Sequence, residues 1–357
     1  MSASKATILL TAGGGAMVPL AIRQMHDSRR HQIRVVAVNT QAGVAAEAMA
    51  DAFHVVPYGT DPGYVDAVLD IVRRDGVTLV MPWSDEEALA LAPHADRFAA
   101  LGAVLACTTP ENLAIMSDKA ATFRRLGDVG IPVPDWRHAE TDAQLLAALD
   151  DLMAVHGAAV VKPERSRGGR NVYVVRPDAD TVMDVDEGRE CHLSPAAFLA
   201  LGEEGRRALL PAMVMERLVP PAYDIDILCR RGQVLRCVPR RRINPAGIPF
   251  RGGVIENLPE LHALAADIAR VLNLDWLYDI DVFTTRDGAW RVIETNPRPS
   301  GSLPATIAAG IDLFDDLVSL AQGKTLPPLT LPDQRLVLPF TAAIASDDAA
   351  LLKWHTP

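Results

Sequence analysis

Apolar and polar positions run in two rhythms along the chain. Over the first ~110 residues, short apolar runs ("ATILL", "IRVVAV", "FHVVPY", "VTLVMP", "AVLACT") are separated by stretches with helical spacing such as "YVDAVLDIVRRDG". Short, β-branched-rich runs between amphipathic helices predict a parallel, doubly wound α/β sheet. Punctuation agrees: Gly76 closes one helix, Ser84 stands three residues before Glu87 as a capping pattern, and Gly102 ends that helix.

The rhythm changes from Glu111. "ENLAIMSDKAATFRRLGDVG" reads as a helix closing at Gly130, "IPVPDW" as extended chain, and "TDAQLLAALDDLMAVHG" as a helix capped by Thr141. "AAVVKPE", "RSRGGR" and "NVYVVR" predict strand, loop and strand, with Lys162 at the loop's edge. The stretch 178–210 is mixed and charged, with a helix from about Ser194. "AMVMERL", "DIDILCR", "VLRCVPR" and "FRGGVIE" follow as strands, and "LPELHALAADIARVLNL" as a helix. "WLYDIDVFTTRDGAWRVIETN" predicts a hairpin turning at Asp287-Gly288. "ATIAAGIDLFDDLVSLAQG" reads as one helix before a proline-rich tail, and no internal repeat of useful strength is visible.

At 357 residues the chain is too long for one ordinary core, and 49% hydrophobic content is ample for folding. The formal charge of −10 disfavours a general nucleic-acid binder and suits an enzyme. No stretch reaches the roughly 20 apolar residues of a membrane span, and the N-terminus lacks a signal pattern, so a cytoplasmic location is expected. Cys107, Cys191, Cys229 and Cys237 have no ligand spacing and read as free, packed thiols. Only five of the 35 basic residues are lysine, so an internal lysine invites a question.

The hairpin carries the strongest chemistry. Alternation puts Asp279 and Asp281 on one face of the outgoing strand, and Glu294 and Asn296 on one face of the returning one. Asp281, Glu294 and Asn296 then offer hard oxygen ligands suited to Mg2+, and Arg298 can fork onto a phosphate or acyl-phosphate oxygen. Lys162 stands beside Gly168 and Gly169, a pairing of cation and backbone N–H groups that suits phosphate. Lys119 sits where a helix dipole does not favour it. The strand end at Met215–Leu218 offers backbone and apolar contact to an adenine. The early turn "AGGGAMV" has Val18 where a dinucleotide fingerprint wants a small residue, and the next strand ends in Asn39 instead of an acid. It reads as a turn needing close backbone approach, with a nicotinamide site the lesser alternative.

In this order the pieces resemble the ATP-grasp superfamily, especially its carboxylate–amine ligases and the ATP-grasp halves of carbamoyl-phosphate synthase. "MSDKAATF", "VVKPERSRGGRNVYVV" and "DIDVF…VIETNPRPSGS" carry the likeness, the last most specifically. The resemblance implies a doubly wound domain (1–112), a small ATP-grasp lobe (113–212), a large lobe (213–330) and a tail (331–357). It implies that Lys119 and Lys162 contact ATP phosphates and that Glu216, Arg217 and Leu218 form the adenine hinge. Asp281, Glu294 and Asn296 would hold Mg2+, and Arg298 would steady the transferred phosphoryl group. Arg240 or Arg242 would pair with the carboxylate to be activated. Many relatives carry a ribose-binding glutamate where this chain has Ala222; Asp224 is the nearest substitute. The implied reaction activates a small carboxylate as an acyl phosphate and couples it to an amine, with release of ADP and phosphate. Phosphorylation without ligation, a carbamoyl-type phosphate and a non-catalytic nucleotide binder are the alternatives. Partners are ATP and small substrates, with no nucleic acid or membrane, and a homodimer is allowed.

Overall fold

The computed structural model describes residues 4–164, 171–179, 182–183, 190–245 and 250–345. The glycine loop with Gly168, Gly169, Arg165, Arg167 and Arg170 lies outside the described residues.

The first apolar runs form β1 (Ser4–Leu10), β2 (His31–Asn39), β3 (Ala52–Val55), β4 (Leu79–Met81) and β5 (Val104–Leu105). All pair in parallel, in the order β3-β2-β1-β4-β5. Strand order reverses at β1, which places the turn after β1 at the carboxyl edge where such sheets bind ligands.

The second sheet contains β6 (Trp136–Ala139), β7 (Ala159–Pro163), β8 (Val172–Val175), β9 (Val182–Met183), β10 (Glu190–Leu193) and β11 (Ala212–Glu216). Its order is β6-β11-β7-β8-β10-β9. One face packs on the helix Asp142–His156, which has the full Thr141–Gln144 capping box and closes at left-handed Gly157. Strand β11, expected to open the large lobe, is an inner strand of this sheet.

The third sheet is built from β12 (Val219–Arg230), β13 (Gln233–Arg242), β14 (Gly253–Glu256), β15 (Trp276–Thr284), β16 (Trp290–Asn296) and β17 (Gln334–Val337). Its order is β16-β15-β12-β13-β14-β17, antiparallel throughout. β17 comes from the proline-rich tail, where "QRLV" is too short and too polar to announce a strand; pairing with β14 makes it one.

Two helices expected to be continuous are broken. Asp118 ends Pro110–Ser117 and caps Lys119–Gly127, accepting from the Ala121 N–H at 2.8 Å. Gly310, at φ +89°, ends Leu303–Ala308, and Asp312 caps Leu313–Ala321 by accepting from the Asp315 N–H at 2.9 Å. In both places a short acid caps the helix that follows.

The cores do not follow the sequence boundaries. One continuous core joins Ile8 and Leu10 of the first sheet to Leu113, Met116 and Leu126, and then to Ile225, Tyr278 and Ile280 of the third. The helical pair 110–127, expected in the small lobe, therefore belongs to this main body. The second sheet has its own core, and a small cluster of Ala120, Phe123, Met213 and Met215 joins it to the rest. Polar ties also span the main body: Trp83 Nε1–H donates to the Ser300 carbonyl at 3.0 Å, and the Thr108 N–H donates to Tyr278 Oη at 2.6 Å.

Candidate active site

The tetrapeptide Tyr-Asp-Ile-Asp occurs twice, at 223–226 in β12 and 278–281 in β15. The strands are antiparallel neighbours, so Asp224 faces Asp281 and Asp226 faces Asp279. On the other side of β15, Asp281 pairs with Glu294 and Asp279 with Asn296, the hairpin register anticipated from the sequence. Alternation across three strands thus gathers these acids on one face.

Three of them meet closely: one oxygen each of Asp224, Asp279 and Asp281 lie within 4.8 Å of one another, and all three residues are buried. Asp279 Oδ1 and Asp281 Oδ1 are buried without a hydrogen-bond partner. Burial, then neighbouring Asp281 and Asp224, push the Asp279 carboxyl well above its ordinary range. Burial, with Asp224 and Glu294 nearby, pushes Asp281 up to about 6 against the pull of Arg242. Orphaned carboxylate oxygens that resist ionisation in a buried cluster fit a bound divalent cation with oxygen preference.

The register sets Asp224 and Asp279 beside the expected donors Asp281, Glu294 and Asn296. Glu294 is beside the cluster, but its Oε1 is 2.9 Å from Lys119 Nζ, and Lys119 with Lys162 keeps its carboxyl below the ordinary range despite burial. Asn296 is a brace: its Nδ2–H donates to Asp279 Oδ2 at 3.0 Å and its Oδ1 accepts from Arg298 at 3.2 Å. Asp224, expected at a ribose, is instead held between two arginines. Burial would raise its carboxyl, yet Arg242 and Arg240 hold it below its ordinary value. The register between β12 and β15 decides this, and a long-range register is absent from the local pattern of either strand.

The two candidate carboxylate-binding arginines part company. Arg240 is fully buried, donates to Asp224 Oδ2 at 2.9 Å and stacks 5.6 Å from the Phe250 ring centre. It supports the acids from beneath. Arg242 bridges Asp224 at 2.5 Å and Asp281 at 2.8 Å and reaches open space on both sides.

Two cavities adjoin the acids. One, about 330 Å3, is lined by Lys119, Lys162, Met215, Arg217 and Leu218. Lys162 is buried in it, 5.5 Å from the Phe123 ring centre; burial and then Lys119 lower its pKa to about 8. Glu216 turns away: its Oε1 accepts from the Asp135 N–H at 3.0 Å, and its carboxylate faces His156 and Arg291 at 3.7 Å. The other cavity, about 410 Å3, lies between the first and third sheets, with Trp83, Phe250, Arg298 and Ser300 among its walls. Arg298 reaches Asp85 of the first domain at 3.2 Å.

The early glycine turn lines this second cavity through Gly15–Val18, a role its sequence did not announce. Its conformation is the expected close approach: the Gly13 N–H donates to the Val38 carbonyl at 2.9 Å, and an added Cβ there would meet that oxygen at 3.1 Å. Asn39 accepts from the Gly14 N–H at 3.2 Å, so it serves the turn.

Comparison with known proteins agrees with this layout. Residues 8–106 match the PylC-like N-terminal domain, and residues 209–338 match a family described as ATP-grasp in the biosynthetic pathway with Ter operon. The carbamoyl phosphate synthase large chain of Methanosarcina mazei is 24% identical over 283 residues, covering 76% of this chain and 25% of that protein. The chain thus spans about a quarter of that relative's length. Among solved structures, Staphylococcus aureus N5-carboxyaminoimidazole synthetase complexed with ADP superposes with a TM-score of 0.67 at 13% identity, over 91% of this chain and 79% of that one. L-amino acid ligase from Bacillus licheniformis superposes with a TM-score of 0.58 at 16% identity, over 90% of this chain and 75% of that one. These structural likenesses carry the fold. Among the described residues, no helix is long and apolar enough to cross a membrane.

Proposed function

We propose that this chain, a member of the ATP-grasp superfamily, uses ATP to activate a small carboxylate as an acyl phosphate and couples it to an amine. The observation that carries the reading is the shared wall: Arg242, Asp281 and Glu294 line both cavities at once. A nucleotide on the lysine side and an acceptor on the Trp83 side would meet across that wall.

Asp224, Asp279 and Asp281 would hold Mg2+, with Glu294 beside them; the ion supplies neutralisation of phosphate charge when bound. Lys119 and Lys162 bind phosphate oxygens from the cleft, and Met215 and Leu218 give an apolar bed to the base. Arg298, held by Asp85 and Asn296, presents its guanidinium to the oxygens of the phosphoryl group in transfer. Arg242 orients the acceptor carboxylate for attack on the γ-phosphorus. That attack forms a carboxyl O–P bond and breaks the bond to the ADP oxygen. The amine then attacks the acyl carbon, phosphate leaves, and the amine's proton passes to solvent or phosphate. Exclusion of water between the lobes protects the acyl phosphate from hydrolysis.

The test is phosphate release from Mg·ATP with small carboxylates and amines, amino acids included, offered singly and in pairs. A pair active only together supports ligation. Release with a carboxylate alone, leaving a stable phosphorylated product, replaces it with phosphorylation. No release with any pair removes the catalytic reading.

A further inference from the structure

The nucleotide cleft has one carboxylate that the chemistry above does not use. Glu190 opens β10 and lines the cleft. Register explains why it points there: Glu190 pairs with Val172 and His192 with Val174 on β8, while Val174 pairs with Val160 on β7 and Val160 with Met215 on β11. Paired residues share a face, so Glu190 stands on the same surface as Val160, Val172, Val174 and Met215. The alternate residues Tyr173, Cys191 and Val161 face the lobe's own core. An acid on an otherwise valine-rich wall asks for a reason.

Its surroundings narrow the reason. Glu190 lines the cleft together with Lys162, on the phosphate side of the nucleotide reading, and Arg217, on the hinge side. A carboxylate repels phosphate, and an adenine at Met215–Leu218 lies at the hinge itself. The part of a nucleotide between them is the sugar, whose hydroxyls are donors that need acceptors. Rival acceptors are accounted for. Among the described carboxylates lining this cleft, Asp281 and Glu294 belong to the cation cluster and the Lys119 pair. Glu216 is turned to Asp135, and Asp224 is held by Arg240 and Arg242 in the other cavity.

We infer that Glu190 accepts the ribose hydroxyls of the bound nucleotide, so that the charged 178–210 stretch of the small lobe supplies the sugar contact that Ala222 cannot. The contact rests on the nucleotide reading of this cleft. His192 stands beside it on the same strand, its Nε2 3.7 Å from Glu190 Oε2.

The experiment is calorimetric binding of ATP, 2′-deoxy-ATP and 3′-deoxy-ATP to the full chain with Mg2+, for wild type, Glu190→Ala and Glu190→Gln. Wild type is expected to prefer ATP over at least one deoxy analogue by roughly tenfold, the strength of a hydrogen bond to a charged acceptor. Glu190→Ala should weaken ATP about tenfold, leave that analogue unchanged and so erase the preference; Glu190→Gln should restore part of it. Circular dichroism melting checks that the variants are folded. Unchanged ATP-to-deoxy ratios in both variants overturn the assignment while leaving the nucleotide reading intact. Absence of ATP binding by wild type overturns both. Ribose discrimination by Glu190 with no phosphate release from any acid and amine pair upholds the contact and sinks the ligase.

Discussion

Glu294 and Lys119 form an ion pair, 2.9 Å apart, at the wall between the cavities. Glu294→Ala is expected to reduce substrate-dependent ADP release by at least a hundredfold while the circular dichroism spectrum stays native; wild-type turnover would remove Glu294 from the chemistry. Lys162 gives a pH signature. Burial and then Lys119 lower its pKa to about 8, so near pH 8 part of the free protein holds it neutral. A phosphate beside it favours the charged form, so nucleotide binding must take up a proton between roughly pH 7.5 and 9. Calorimetry in buffers of different ionisation enthalpy should show that uptake in wild type and its loss in Lys162→Gln. At this scale the sequence was readable where alternation decides matters, as in Asp281 opposite Glu294. It misled where a distant strand decides, as at Asp224, whose partner Asp281 lies 57 positions away.

Elements were legible by their apolar runs, but their ends depended on single acids. Asp118 and Asp312 each divide a stretch whose periodicity continues unbroken, because a carboxylate capping the next helix outweighs weak helix propensity. Asp312 carries a cost. Burial pushes its carboxyl up to about 6, with Asp315 adding to the rise. A folded pKa above the ordinary 3.8 means the native state holds its proton more tightly. Stability is then greatest below about pH 4 for this group and is lost as pH rises through about 6. Asp312→Asn keeps a capping oxygen and removes the charge. It should stabilise by roughly 2 kcal/mol at pH 7.5 in urea denaturation and by almost nothing at pH 4. The edge strand β17 makes a second test. Gln334 donates to Glu256 at 2.9 Å and Arg335 to the Ala309 carbonyl at 2.6 Å, so ending the chain at residue 330 should lower the melting temperature by several degrees.

For the whole molecule, the doubly wound sheet and the two further sheets were foreseeable, but the packing of one against another was not. Apolar periodicity tells that a face is buried and leaves its partner unnamed. The first and third sheets share one core, closed by Trp83–Ser300 and Thr108–Tyr278 hydrogen bonds. Residues 1–106 produced alone would expose the apolar side that the third sheet covers. They should therefore give a poorly dispersed amide spectrum and no cooperative melting transition; a well-folded fragment would contradict the shared core. The same fusion sets where this architecture can vary. Trp83 and Phe250 wall a cavity between two sheets that share one core, whereas the cleft around Lys162 lies against a lobe joined by a small cluster. Under the proposed function, the acceptor would lie in a mould of one shared core and the nucleotide against a separately cored lobe. On that reading, the choice of acid would be recarved one wall residue at a time in the mould, without disturbing the lobe that holds the nucleotide.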